Sequence, residues 1–542
     1  MSETSDAGAA LGERFSGGHQ VKLLGEGILT GVVGGGVVTL YRLALTQAES
    51  LLRGCTEAAS ANPLLVCGWF VVVGVLCVAV SFLMRWEPYT QGSGIPQTDA
   101  EVMGMMDMPW KRVLPVKFCE GVLGALAGLS LGREGPSVQL GAMSGKAVSR
   151  TLGRSRSEER LLVTCGAAAG MSAAFNAPFT GVLFALEEIH REFTPSLIIA
   201  AMGSSVAADF LVSQVLGVDP VLKFSLAHQL PHIQYFYVVA LGIFCGLMGW
   251  VHNAGMFACQ ERLFARIGRG APLSRISVAF GLAGVMAFVA PVFTCGGDAI
   301  LEEIVDPQMV PAETVAALLV GKYLFTTVCF GSGAPGGTLF PLVILGALSG
   351  ILFGHGVVGA LGLPEDYLVN FAVLGIAGLF SGVIRAPVTA VVLCFELTGT
   401  LDVLLSVSIV SLVAYVVANT LGSDPYYEHL LSNLLDVPGE SVRDAGFSGK
   451  KVLKTYAVGT GSFVENKRIR EIRWPAGVLI VEIVRAGNEI VPSGTTRIRA
   501  LDEMLVIMDA GTQDDAQIIL SHYCKGSLAS RVTPMTGRSR MR

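Results

Sequence analysis

Apolar residues run along this chain in long, nearly unbroken blocks. They lie near residues 22–48, 64–84, 112–131, 137–150, 161–186, 196–216, 233–257, 275–294, 313–330, 340–361, 368–398 and 403–421. Such blocks predict helices that are apolar all round, buried in protein or facing lipid. Several are shorter than the roughly 20 residues that span a bilayer. Many are cut by Gly or Pro: "GSGIP" (92–96), "GREGP" (132–136), "NAP" (176–178), "GAPGG" (333–337) and "RAP" (385–387). Irregular backbone at membrane depth is tolerated only where it faces protein or a watery cavity. The pattern therefore predicts an all-α polytopic membrane protein with broken helices, of transporter or channel type. After about residue 433 it changes to alternating runs, "VLIVEIVR" (478–485) and "MLVIMDA" (504–510), with turns between them. Residues 445–524 read as a small soluble α/β domain. Residues 1–20 are a polar N-terminal segment, and 525–542 read as a polar, basic, disordered tail.

Composition agrees. Only 15% of residues are charged, where soluble proteins carry about a quarter, and the mean hydropathy is +0.59. The first apolar run leads into Tyr41-Arg42 without a small-residue cleavage site, so no signal peptide is expected. The 11 cysteines are scattered and include no Cys-x-x-Cys pair, so they read as small buried hydrophobes. The eight histidines show no metal-ligand spacing, and no Ser/His/Asp constellation stands out. We expect no enzyme activity, metal, cofactor or nucleic-acid partner.

The apolar part repeats itself. "PVKF" around Lys117 matches "VGKY" around Lys322, and "QLGAMSG" (139–145) matches "ILGALSG" (344–350), both 205 residues apart. "NAPFTGVLFALEE" (176–188) matches "RAPVTAVVLCFEL" (385–397) at an offset of 209. Two homologous halves, about 21–215 and 230–430, follow. Residues 146–160 hold five Lys/Arg and the matching 351–365 hold none. By the positive-inside rule the two copies lie upside down to each other, with a substrate site where they meet.

Arg133-Glu134 sits in an apolar stretch, at a Gly-Pro turn that opens a helix. "GSGIP" and "GGTLFP" look like two more such turns. A helix N-terminus presents unpaired N–H groups and positive dipole potential, so converging N-termini make an anion site. A single turn of this kind could equally be a kink; three of them, two related by the repeat, favour the site.

At these residues the chain resembles the CLC chloride channels and chloride/proton exchangers. The resemblance is carried by "GSGIPQ" (92–97), "GREGPSVQ" (132–139), "AAFNAPFTGVLFALEE" (173–188), "GSGAPGGTLFP" (331–341), "IRAPVTAVVLCFELTG" (384–399) and "DPYY" (424–427). It implies the CLC fold, two inverted-topology repeats with broken helices over 21–435, in each subunit of a homodimer. It places the external gating and proton-accepting carboxylate at Glu134. Chloride contacts fall to Ser93, Tyr427 and the main-chain N–H groups of Thr338 and Leu339, with Arg133 and Gly135 flanking Glu134. The family's Gly-x-Phe-x-Pro reads Gly337-Thr338-Leu339-Phe340-Pro341 here, which puts Leu where an aromatic ring is usual. Read from the residues alone, Glu188 is an interfacial acid at a helix end. The resemblance makes it the internal proton-transfer residue, which exchangers keep and channels typically replace. The implied function is chloride transport coupled to proton counter-transport, with a passive chloride channel of the same fold as the alternative. Residues 461–507 also resemble the TrkA-C subdomain of potassium-conductance regulators, which implies dimerisation and sensing of a small ligand. The expected setting is a bacterial inner membrane, with both termini cytoplasmic.

Overall fold

Proline and glycine mark where the helices begin and end. The computed structural model describes residues 17–60, 62–217, 235–267, 272–304, 310–361, 364–400, 402–436, 451–475, 477–485, 488–509 and 513–524. Residues 1–16 of the polar segment expected over 1–20, and the whole tail expected over 525–542, lie outside them. The first half comprises α1 (Gly17–Ser60), α2 (Pro63–Trp86), α3 (Ile95–Met103), α4 (Trp110–Leu126), α5 (Glu134–Thr151), α6 (Arg156–Phe175), α7 (Pro178–Phe184) and α8 (Pro195–Leu216). The second comprises α9 (Tyr235–Ala258), α10 (Pro272–Val289), α11 (Asp298–Glu303), α12 (Ala312–Gly331), α13 (Leu339–Leu361), α14 (Tyr367–Ile384), α15 (Pro387–Thr398), α16 (Leu404–Thr420) and α17 (Tyr426–Leu435). Among the described residues, eight helices are long and apolar enough to cross a membrane. Helices α2, α3, α7, α8 and α15 carry Pro in their first turn. There the missing N–H costs nothing and the fixed φ suits the helix.

The sequence repeat reappears as paired contacts. Gly145 of α5 lies against the Leu162 carbonyl of α6 so closely that a Cβ would overlap it. Gly350 of α13 lies in the same way against the Phe371 carbonyl of α14. Small residues at these places let helix backbones touch, which is how helices associate where lipid removes the hydrophobic drive.

The halves also complete one another. The Glu396 carboxylate, in the second half, accepts the N–H groups of Phe179 and Thr180 at 2.8 and 2.7 Å and the Thr180 hydroxyl at 2.6 Å. Its repeat mate Glu187 accepts Val388 N–H at 3.3 Å, Thr389 N–H at 2.8 Å and the Thr389 hydroxyl at 2.7 Å. Each acid caps a helix of the opposite half, α7 or α15, satisfying donors that a helix start leaves open.

The basic stretch 146–160 is tied down. Lys146, 1% exposed, donates to Glu101 and Asp107 at 2.5 Å each and to the Met108 carbonyl at 2.8 Å. Arg150 pairs with Glu159, and Arg154 with Glu26. This network joins the C-terminal ends of α3 and α5.

A second compact unit covers Leu435–Arg542. Strands β1 (Lys451–Ala457), β2 (Leu479–Arg485), β3 (Asn488–Ile490) and β4 (Glu503–Asp509) form one antiparallel sheet in the order β1-β4-β2-β3. Helix α18 (Gln513–Cys524) covers it, burying Ala516 and Leu520 with Ile483, Met504 and Val506. At the end of β2, Arg485 grips the fully buried Asp502 with two bonds of 2.8 and 2.7 Å, and Arg499 N–H adds a third at 2.8 Å. Burial alone would raise the Asp502 carboxyl, but these donors outweigh it and hold it below its ordinary value. The stability it supplies is therefore fully present above the ordinary value of about 4 and is lost as pH falls through the lower folded value. Asp502→Asn should cost the unit about 1.5 kcal/mol by removing the charge to which Arg485 and the Arg499 N–H bond. Hydrogen exchange on the full chain checks this: β2 and β4 amides should exchange about tenfold faster, with the membrane helices unchanged.

Candidate functional site

The three glycine turns meet. Gly132 N–H donates to the Gly337 carbonyl at 2.6 Å and Gly337 N–H returns to Gly132 at 2.8 Å. These residues are repeat mates, so the bridge sits where the two halves face each other. Gly92 N–H donates to Gly333 at 3.3 Å and Gly336 N–H donates back to Gly92 at 3.0 Å. The starts of α3, α5 and α13 are thereby sewn together by main chain. Side chains are excluded at the seam. A Cβ on Gly135 would overlap Ser93 Oγ and come within 2.7 Å of the Ser93 carbonyl, and one on Gly337 would lie 2.8 Å from Gly135 N.

Glu134 opens α5 and is fully buried. Its Oε2 accepts the N–H of Phe340, in the first turn of α13, at 3.2 Å. Its Oε1 has no hydrogen-bond partner and lies 3.9 Å from Arg133 Nε. A carboxylate thus occupies the anion position at a helix start. Arg133 in turn stands 5.3 Å over the Phe340 ring, a cation–π distance. The aromatic ring absent at 339 is therefore present one residue later, stacked beneath Arg133. Leu339 is buried in the apolar core and Thr338 is 4% exposed. The N–H that reaches Glu134 belongs to Phe340, next along from the two expected donors.

Ser93, at the Gly92–Gly94 turn, is 2% exposed, and its Oγ has no partner. Gly94 takes the left-handed conformation (φ 94°), where glycine carries no steric penalty, so that α3 can start at once. Beneath the turn, the buried Lys117 donates to the carbonyls of Thr90 and Gly92 at 2.8 Å each. Its repeat mate Lys322 does the same for Phe293 and Cys295, at 3.1 and 2.9 Å. Tyr427, in the first turn of α17, is fully buried with an unpartnered hydroxyl, its ring 6.3 Å from Phe184 and nearly perpendicular to it. Unpaired buried hydroxyls are costly unless a ligand or water meets them.

Glu188 lies in a π-helical turn, Ala185–His190, that continues α7. Such turns are frequent at functional sites. Glu188 is 6% exposed and its Oε1 is unpartnered. Arg191 takes a left-handed conformation (φ 58°), held by bonds to the Glu188 carbonyl at 3.1 Å and to Glu428 at 3.2 Å. Asp99 of α3 is fully buried with neither oxygen bonded, and its electrostatic neighbours are Arg191, Glu188 and Glu428. Electrostatically, Tyr427 neighbours Glu188, Glu134 and Asp99. Neither Asp99 nor Arg191 is marked by a motif of its own; an acid five residues after "GSG" was the available signal.

Residues 74–419 match the family model described as voltage gated chloride channel, and 453–517 match that of the TrkA-C domain. The chain is 34% identical over 419 residues to the H(+)/Cl(-) exchange transporter ClcA of Vibrio cholerae serotype O1 (strain M66-2), covering 76% of this chain and 88% of that protein. Against ClcA of Salmonella typhimurium the identity is 32% over 429 residues, covering 76% and 87%. The crystal structure of a slow cyanobacterial Cl-/H+ antiporter aligns with a TM-score of 0.71 at 27% identity, over 76% of this chain and 98% of that one.

The seam makes a sharp expectation. Gly135→Ala should weaken chloride binding by more than about tenfold, about 1.4 kcal/mol, when followed by titration calorimetry. Gly36→Ala in α1, where a Cβ meets nothing within 4 Å, should leave binding unchanged.

Proposed function

The chain belongs to the voltage gated chloride channel (CLC) family, and from that premise we propose that it exchanges chloride for protons across a membrane. The observation that carries this reading is the Glu134 carboxylate on the Phe340 N–H, at a helix start built to hold an anion. Carboxylate and chloride then compete for one place. Protonation removes the carboxylate's charge and frees the place for chloride; departure of chloride lets the carboxylate return and release its proton. Alternation of the two occupants couples their fluxes. Chloride meets the hydroxyls of Ser93 and Tyr427 and the N–H groups of Thr338 and Leu339, with Arg133 and Gly135 beside it. Glu188 delivers protons from the opposite side to Glu134, with Asp99 and Arg191 around it. That the relatives are named exchange transporters supports this reading over a channel, and so does the carboxylate at position 188.

Within the same reading, residues 21–435 carry transport. Residues 445–524 form a cytoplasmic domain that braces a homodimer and takes a small ligand. The setting is a bacterial inner membrane with both termini inside, because the basic stretch 146–160 marks the cytoplasmic face.

Reconstituted vesicles give the test. With the membrane potential clamped against passive proton flow, an imposed chloride gradient should drive protons uphill. Glu134→Gln and Glu188→Gln should each lower chloride-driven proton movement by at least about a hundredfold while chloride still moves. Chloride flux without uphill proton movement in the parent protein would make it a channel. Proton pumping that survives in Glu134→Gln would remove Glu134 from the coupling step.

A further inference from the structure

Two cavities approach the sewn turns, and their charges differ. The one on the Glu134 side is lined by Tyr41, Glu49, Arg133, Asp298 and Phe340, so a cation and carboxylates share it. The one on the Ser93 side, about 190 Å³, is lined by Ser93, Gln97, Gln260, Arg275, Gly333 and Asn433 among others. Among its described lining residues Arg275 is the one charged group.

Arg275 stands in the first turn of α10. Its guanidinium leans on Gly333, where a Cβ would lie 3.4 Å from Nη2. The Gly333 carbonyl is the acceptor for Gly92 N–H, so the guanidinium rests against the seam next to Ser93. Among the described residues Arg275 has no ion-pair or hydrogen-bond partner, and its Nε is buried and unmet. Glu261, outside the cavity's lining, is held by His429 at 2.7 Å and by Asn433 at 3.1 Å. Ser93, 2% exposed and with its hydroxyl unpartnered, lines the same cavity. A cation without a counter-ion in a narrow cleft concentrates anions and repels protons.

We infer that Arg275 is the anion-capturing residue of the Ser93 mouth: it draws a small anion such as chloride from solution and delivers it to Ser93 Oγ. The inference rests on the chloride/proton reading above. It also explains a division of labour. The Glu134 mouth serves anions and protons together, whereas the Ser93 mouth is an anion entrance, and protons on that side use the separate acids around Glu188.

The test is chloride titration calorimetry on the purified full chain, with ionic strength set by potassium gluconate. Arg275→Gln should weaken chloride binding about three- to tenfold at low salt, Arg275→Lys should restore most of it, and Arg275→Glu should weaken it further. The gap between parent and Arg275→Gln should close as ionic strength rises from about 0.01 M to about 1 M. The proton-to-chloride ratio in vesicles should not change, since Arg275 touches no proton carrier. Arg275→Gln binding like the parent at every salt concentration would overturn the inference and leave the exchange reading intact. So would a loss that Lys does not restore and salt does not alter, which would mark Arg275 as a packing residue. A parent protein that binds no chloride would overturn both.

Discussion

Everything at the centre depends on keeping helix N-termini together. Each carries roughly half a positive charge, so bringing them close is electrostatically unfavourable in a medium with little water. Two devices hold them. The main chain sews the glycine turns in pairs, Gly132 to Gly337 and Gly92 to Gly333 and Gly336, using groups that would otherwise be orphaned. The Glu134 carboxylate then supplies the negative charge that the cluster lacks. On the proposed reading, a site stabilised by its own resident anion is ready to accept a foreign one in exchange, so structure and turnover share a cause. This is also why glycine recurs at the seam: any side chain at 135 or 337 would force the turns apart.

Duplication doubles each solution. The buried lysine under a turn occurs at 117 and 322, the glycine against a carbonyl at 145 and 350, and the capping acid at 187 and 396. Departures from the two-fold are where the directions differ. Glu134 has Leu339 of α13 as its counterpart, and Glu188 has Leu397. These two carboxylates stand in one copy only, so a symmetric frame carries an unsymmetric pair of buried acids.

Much of the fold was legible in the sequence because its signals are local. Gly-Pro turns name the helix starts, and the offsets of 205 and 209 name the halves. The three glycine turns were legible for the same reason, since a helix N-terminus is a one-turn feature. What escaped depends on packing between distant segments. Asp99 reads as one more residue of a short helix until Glu188 and Arg191 come beside it. Arg275 reads as a routine charge at a helix start until Gly333 is found under it. The aromatic ring missing at 339 looked like a loss, yet Phe340 puts a ring beneath Arg133 from the adjacent position. The reciprocal bonds of Glu187 and Glu396 required knowing which helix each acid faces; the repeat made them mates but not each other's complements.

Those reciprocal caps bear on how the chain is made. When the first half leaves the ribosome, the opening N–H groups of α7 have no acceptor, because Glu396 does not yet exist. Glu187 is equally idle, its donors some 200 residues from being synthesised. The first half must therefore wait in the bilayer as an incomplete intermediate, and the arrival of α15 closes both gaps together. Because both halves belong to one chain, that closure does not depend on two separate copies meeting.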